Sequence, residues 1–482
     1  MTSTFLVFAG VIAHFALQVA FIIRALIRPN RQPSSRIAWV LVILVLPVLG
    51  ALFYILFGDT NIGHGRAARY RKASAQLSDL RRSNPEPDRM DGVAKRNRHL
   101  FMLGHSISGF RPLKGNAAEL MVDSYTAIDS LVVDIDAAKT SVQLLFYIWL
   151  ADTNGLKVVE AAKRAARRGV IVRAMADDVG SRDIIRSSHW RDMEAAGVRL
   201  VRALPVRNPF LHPFGGRLDL RNHRKIVVID AHITYCGSQN CADPEFRVKA
   251  KYAPWVDLVV RFEGPIALQN QALFDEDWAA HTDEPLSNRL PNLPADTGLP
   301  RGVAQAIGTG PTARPSAVPE MFEALMHAAR RELVVTTPYY VPSEPMQSAL
   351  CSAGHRGVET TLVVPKTNDS WIVAAASRSY YSELVAAGVR IFEYKPGLLH
   401  AKSLTLDDEV ALIGSANLDR RSFDLNYENN ILIQDANLVS ALRDRQRRFI
   451  AESQEVLSED IADWSVTRRL WNNSIAILGP IL

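Results

Sequence analysis

Twelve residues of this chain fall into two copies of one pattern. His223, Lys225 and Asp230 fit H-x-K-x4-D and are followed by Gly237, Ser238 and Asn240. His400, Lys402 and Asp407 are followed by Gly414, Ser415 and Asn417 at the same offsets. Six fixed residue types match by chance about once in 10^7 to 10^8 start positions, so a double match is a strong signal. Residues two apart on a strand share a face, so each histidine points the same way as its lysine. Asp230 and Asp407 lie at odd separations and face away; they are expected to anchor the following turn and to transfer no proton or phosphoryl group. Ser238 with Asn240, and Ser415 with Asn417, share a face on the returning strand. The expected floor of the site is therefore His, Lys, Ser or Gly backbone, and Asn from each copy.

These residue types suit a phosphodiester. Lysine places charge beside phosphate oxygens, while asparagine amides and backbone N–H groups donate hydrogen bonds. A neutral histidine can attack phosphorus through one nitrogen or carry a proton. Two lysines supply charge that a divalent ion would otherwise bring, so neither a metal nor another cofactor is expected. A single H-x-K on a strand would be read as a surface accident; the duplication argues against that.

The elements that position these residues also repeat. A helical pattern up to Lys139 precedes the strand-like run from Ser141 to Tyr147, then an Ala- and Arg-rich helix, the strand from Gly169, and Ala196-Gly-Val-Arg-Leu. In the second half a helix around Met321 to Arg331 precedes the strand from Leu333 to Tyr339, the strand from Gly357, and Ala387-Gly-Val-Arg-Ile. Alternating strands and helices predict a layered α/β sheet in each half. The first half carries extra residues between Val198 and His223, where Phe210, His212, Pro213 and Phe214 either touch membrane or form an ordinary loop. Tyr147, Trp149, Tyr339 and Tyr340 end equivalent strands, to line an entrance or to fill the core.

Upstream lie two apolar runs, Phe5 to Ile23 and Ile37 to Phe57, separated by Arg24, Arg28, Arg31 and Arg36. Each has about the 20 residues that cross a bilayer core as a helix. A signal peptide fits poorly, since the first run has no basic segment before it and no small-residue cleavage site after it. Two spanning helices joined by a basic turn are expected. Their orientation stays open, because Arg66, Arg69, Arg71 and Lys72 pull against the four arginines of the turn. Net charge is +6 over 482 residues, a modest excess that fits an anionic partner without choosing one. Cys236, Cys241 and Cys351 match no metal site and no disulfide framework. The tail from Trp464 to Leu482 is amphipathic, suited to an interface or to packing on the domain.

Both motifs resemble the HKD signature of the phospholipase D superfamily. Arg221 to Lys225, Gly237 to Asn240 and Trp255-Val256-Asp257 resemble bacterial cardiolipin synthases in particular. So do Leu399 to Lys402, Asn417-Leu418-Asp419, Arg421-Ser422, Asn426 and Glu428, and the N-terminal Pro47-Val-Leu-Gly50 and Tyr54 to Gly58. The resemblance implies two tandem phospholipase D-like α/β/α lobes in a pseudo-twofold bilobal domain preceded by two transmembrane helices. The expected division is an anchor at 1–58, a juxtamembrane linker at 59–115, lobe 1 at 116–283, a linker at 284–302, lobe 2 at 303–455 and a tail at 456–482. It implies a multi-pass protein of the bacterial plasma membrane that meets phosphatidylglycerol and other anionic phospholipids, not nucleic acid. It also implies phosphatidyl transfer between two phosphatidylglycerols through a phosphatidyl-histidine, with His223 as nucleophile and His400 as acid and then base. An acidic residue downstream of each motif is expected to orient the histidine of the same motif, Asp257 for His223 and Glu428 for His400. Hydrolysis of a phosphodiester by the same residues is the alternative reading, and a membrane scaffold with a dead site is a remoter one.

Overall fold

A computed structural model describes residues 2–29, 33–58, 62–83, 90–206, 217, 219–282, 284, 302–312, 314 and 316–477. Phe210, His212, Pro213 and Phe214, and much of the Pro-rich segment after Pro285, lie outside these residues. The first lobe contributes β1 (Leu113–Leu120), β2 (Ser141–Phe146), β3 (Ile171–Asp177), β4 (Arg199–Ala203), β5 (Ile226–Ile229), β6 (Ile233–Gly237) and β7 (Val259–Glu263). The second contributes β8 (Gly302–Thr309), β9 (Glu332–Thr336), β10 (Glu359–Pro365), β11 (Arg390–Tyr394), β12 (Ser403–Leu406), β13 (Val410–Gly414) and β14 (Asn426–Gln434), with β15 (Ser453–Val456) at the far edge.

These strands form one mixed sheet in the order β4-β3-β2-β5-β6-β7-β1-β8-β14-β13-β12-β9-β10-β11-β15. Adding seven to each strand of the first lobe yields its counterpart in the second, so the order reads alike from either end toward the antiparallel β1–β8 pair. Strands such as Ile226–Ile229 and Val410–Gly414 are buried along their whole length. They read as continuous apolar runs because helices cover both faces of the sheet. The halves are thus sealed into one body, with the motif hairpins β5–β6 and β12–β13 placed symmetrically about its middle.

The aspartates of the motifs anchor their turns. Asp230 and Asp407 sit in the hairpin turns at positive φ, 50° and 55°. The Asp230 carboxylate accepts from the backbone N–H groups of Lys139, Thr140 and Ser141 at 2.7–2.9 Å. Asp407 accepts likewise from Arg330, Arg331 and Glu332. Each therefore ties its turn to the start of the neighbouring strand, β2 or β9.

Ahead of the lobes come α1 (Thr2–Ile27), α2 (Pro33–Val45), α3 (Pro47–Phe53) with a wide turn over Tyr54–Gly58, and α4 (His64–Ser83). Of the two runs expected to span, only the first forms a helix of the length and apolarity that crossing requires. Among the described residues one helix, over Phe5–Ile27, is long and apolar enough to cross a membrane. The second run is broken at Leu46, whose φ of −126° and ψ of 71° leave the helical region just before Pro47. Proline lacks the N–H that would bond Ile43, so the helix stops there. Helix α4, in the segment read as a juxtamembrane linker, binds the lobes: the Tyr70 hydroxyl donates to Asp277 at 3.1 Å and its ring stacks on Tyr427 at 4.8 Å. The C-terminal helix Val466–Ile477 packs on the helix Trp371–Ser379, with Trp471 stacked on Trp371 at 5.7 Å.

Asp230→Ala removes three charge-assisted backbone bonds in a partly exposed turn, where water recovers part of the loss. A destabilisation of about 2 kcal/mol is expected, read as a lower urea midpoint in detergent, with turnover of the remaining folded protein close to wild type. A turnover loss beyond tenfold at unchanged stability would give the aspartate a direct chemical role.

Candidate active site

Strand register decides which groups meet. Arg221–Asn222 pairs in parallel with Asn426–Tyr427, so His223, one residue further, lies beside Glu428. Leu398–Leu399 pairs in parallel with Trp255–Val256, so His400 lies beside Asp257. The backbone confirms both placements: His223 N–H donates to the Tyr427 carbonyl at 3.0 Å and His400 N–H to the Val256 carbonyl at 2.8 Å. The side chains follow. His223 Nδ1 is 3.0 Å from both Glu428 oxygens, and His400 Nδ1 is 2.6 Å from Asp257 Oδ1. The expected pairing of each histidine with the carboxylate of its own motif is therefore corrected. Each lobe orients the other lobe's imidazole, because the strand entering each motif pairs across the lobe boundary and not within its lobe.

The serines also take a different place from the one expected. Ser238 Oγ donates to Asp257 at 2.6 Å, and Ser415 Oγ bonds Glu428. Both stand behind the carboxylates and hold them, with Asn426 adding a third donor to Glu428 at 3.1 Å. Lys225 and Lys402 are buried, and each Nζ donates to the carbonyl of its own histidine, at 2.8 and 2.6 Å. His223, His400, Asn240 and Asn417 line one cavity of about 610 Å³. Asn240 Oδ1 accepts from Ile148 N–H at 3.2 Å, which leaves its amide hydrogens for the cavity, and the buried Asn417 Oδ1 has no hydrogen-bond partner among the described residues. Tyr147 meets His223 edge-on at 4.9 Å and Trp255 tilts against His400 at 4.7 Å. Of the four aromatic residues at equivalent strand ends, Tyr147 and Tyr339 line the cavity, while Trp149 and Tyr340 are fully buried in the core.

Sequence reasoning missed the support beneath His223. Arg224 points to the opposite face, ion-pairs with Asp277 at 3.0 Å and donates to the carbonyls of Glu428 and Thr309. Its signal was legible: an arginine between the motif histidine and lysine in a buried segment needs a buried carboxylate. Asp277 also receives Tyr70 of α4, so the segment following the anchor is tied within one residue of His223.

Burial dominates the electrostatics. It lowers His223 to about 4, against the opposing pull of Glu428, and lowers His400 as well, aided by Lys402 and resisted by Asp257. It lowers Lys225 to about 8 and Lys402 to about 7. Burial alone would raise Asp257, but His400 and Lys402 more than offset it and hold the acid at about 2. Glu428 is lowered in the same way by His223 and Lys225. With both imidazoles neutral and both lysines still protonated, the two carboxylates balance the two ammonium groups. A phosphodiester anion entering the site favours uptake of one proton by an imidazole.

The chain matches the family model described as "Cardiolipin synthase, PLD-like domain" over residues 131–278 and 322–449, and an N-terminal "Phospholipase_D-nuclease" model over 16–58. It is 36% identical to Cardiolipin synthase A of Edwardsiella ictaluri over 479 residues, 97% of this chain and 96% of that one. It is 35% identical to Cardiolipin synthase A of Erwinia tasmaniensis over 486 residues, 98% of each. The chain belongs to the cardiolipin synthase family of phospholipase D-like proteins. Among solved structures, the phosphatidylserine synthase of Haemophilus influenzae superposes with a TM-score of 0.58 at 14% identity, over 80% of this chain and all of that one. That likeness shows a shared fold. Membership in the cardiolipin synthase family makes this chain an enzyme, and the two matched segments fall on the two halves of the sheet.

A lysine lowered by burial carries charge below its pKa and loses it above. Affinity for a dialkyl phosphodiester, which keeps one negative charge throughout, is therefore expected to be highest below pH 7 and to weaken as Lys402 and then Lys225 lose their protons between about pH 7 and 9. Calorimetry in detergent should read a drop of about tenfold or more. An affinity flat from pH 6 to 9 would remove the lysines from the phosphate site.

Proposed function

We propose that this protein makes cardiolipin by moving a phosphatidyl group from one phosphatidylglycerol to another through His223, at the membrane that holds its N-terminal helix. The observation that carries this reading is the pair of imidazoles on one cavity wall, each with Nδ1 engaged by a carboxylate and so with Nε2 free for chemistry. A carboxylate on Nδ1 fixes the tautomer and stabilises the imidazolium when it forms.

His223 Nε2 attacks the phosphorus of the first lipid, forming a P–N bond as the P–O bond to glycerol breaks. His400, protonated as the phosphate arrives, gives its Nε2 proton to the departing oxygen. The primary hydroxyl of a second phosphatidylglycerol then loses its proton to His400 and attacks phosphorus, and the P–N bond breaks to restore neutral His223. The lysines, Asn240 and Asn417 supply positive charge and donors to the non-bridging oxygens. Phosphodiester energy is kept in the intermediate, so no nucleotide is consumed. Transfer outcompetes hydrolysis where the approach favours lipid over water. Ile148, Leu150, Phe246, Val248, Ile372 and Val373 on the cavity wall supply that apolar approach,. Membrane residence supports phospholipids over nucleic acid as substrates, and the bacterial relatives support a plasma-membrane location.

Purified protein given phosphatidylglycerol in mixed micelles should release glycerol and cardiolipin in equal amounts; phosphatidic acid as the sole lipid product would replace transfer by hydrolysis. His223→Ala and His400→Ala should each lower cardiolipin formation by about a thousandfold or more. An activated phosphodiester whose leaving group needs no proton separates their roles. His400→Ala should still form a phospho-His223 adduct detectable by mass spectrometry, and His223→Ala should form none. The reverse pattern would exchange the two assignments.

A further inference from the structure

The N-terminal segment carries a feature that bears on how the enzyme sits in the bilayer. Helix α2 runs antiparallel to α1: Arg36 Nη2 donates to the Arg28 carbonyl at 2.9 Å near one end, and Gln18 Nε2 donates to the Ile43 carbonyl at 3.1 Å at the other. The chain then reverses at Leu46-Pro47. Gly50 returns so close to α2 that a Cβ at position 50 would lie 2.5 Å from the Val42 carbonyl oxygen. Tyr54, further along the return, meets Trp39 edge-on at 5.3 Å and Phe21 at 6.1 Å. Residues 33–58 are therefore a helical hairpin lying against one part of α1.

Depth follows from length. The 13 residues of α2 rise about 20 Å, short of the roughly 30 Å of a hydrocarbon core. The hairpin tip stands level with Gln18, and α1 continues beyond it for Phe5–Leu17, about another 20 Å. Residues 5–13 are exposed throughout, Phe5 by 72%. The tip itself is apolar and exposed, Val45 by 74%.

A helix that ends within hydrocarbon orphans its last carbonyls, which costs several kcal/mol for each group left unmet. Here that cost is addressed. The Ile43 carbonyl is the one Pro47 would have served had it an N–H, and Gln18 supplies the missing donor, with the Leu44 carbonyl at 3.4 Å from the same amide. A glutamine in an apolar run is otherwise unfavourable; its place opposite the break accounts for it.

We infer that α1 crosses the bilayer once and that residues 33–58 enter it from the far side as a re-entrant hairpin and leave on the side they came from. The catalytic body then emerges on the face that carries the C-terminal end of α1. This topology removes the conflict of charges, because Arg24, Arg28 and Arg36 lie on the same face as Arg66, Arg69, Arg71 and Lys72, while residues 1–4 hold no basic side chain. Arginine and lysine mark the cytoplasmic face, so the N-terminus is outside and the active site faces the cytoplasm.

The test is accessibility to a membrane-impermeant maleimide in right-side-out and inverted membrane vesicles, in the full-length chain whose own three cysteines are buried. Ser3→Cys should react only in right-side-out vesicles, exposed Ser458→Cys only in inverted ones, and Val45→Cys in neither until detergent is added. Reaction of Ser3→Cys and Ser458→Cys on one common face would mean two crossings and overturn the inference. So would reaction of Val45→Cys from the face that labels Ser3, or a mature chain that has lost residue 3. As a second check, Gln18→Leu should raise reaction of Val45→Cys or shorten the survival of the chain in membranes; neither change would remove the amide from its role at the break.

Discussion

Two short parallel pairings, Arg221–Asn222 with Asn426–Tyr427 and Leu398–Leu399 with Trp255–Val256, are the constraint on which the active site depends. Each spans two residues, yet each sets the register that delivers an imidazole from one lobe to a carboxylate from the other. A shift by one residue would turn the histidine away from its partner, since side chains alternate along a strand. The lobes are therefore half-sites. Neither assembles an oriented histidine alone, and the antiparallel β1–β8 seam that closes the sheet holds the two halves in the relation both pairings need.

Around this exchange the polar groups are arranged in depth. Cavity-side imidazoles are backed by carboxylates, the carboxylates by serine hydroxyls and Asn426, and the segment of His223 by the Arg224–Asp277 pair. Buried charges are tolerable only when each is met by opposite charge and by hydrogen bonds. With neutral histidines and protonated lysines, the site balances two cations against two anions. The incoming anionic phosphate then disturbs that balance in the direction that protonates an imidazole.

The same logic recurs in the anchor. Pro47 removes a donor to the Ile43 carbonyl, and Gln18, 25 residues before Ile43, restores one. Through Tyr70 on Asp277 and its stacking on Tyr427, α4 couples the segment after the hairpin to the residues flanking His223 and Glu428. Helix α4 is thereby packed against the body that holds the site.

Much of the chemistry was legible in the chain itself. Motif residues repeated at fixed offsets declare a duplication, period-two spacing puts His with Lys on one face and Asp on the other, and alternating apolar strands with helices declare layered α/β halves. Those features are local, and local spacing determines them. Spacing carries no information about which lobe a side chain meets. Asp257 lies 34 residues after His223 and Glu428 lies 28 after His400, so proximity in sequence favours a pairing that the crossed strands forbid. An apolar count likewise registers that residues 37–57 avoid water but not that the chain reverses among them, because a reversal depends on Gly50 against Val42 and on a glutamine of another helix. Residue type and short-range period were decided by the sequence; partnership across the lobes and the reversal at Leu46-Pro47 were decided by tertiary contacts, since both depend on groups far apart along the chain.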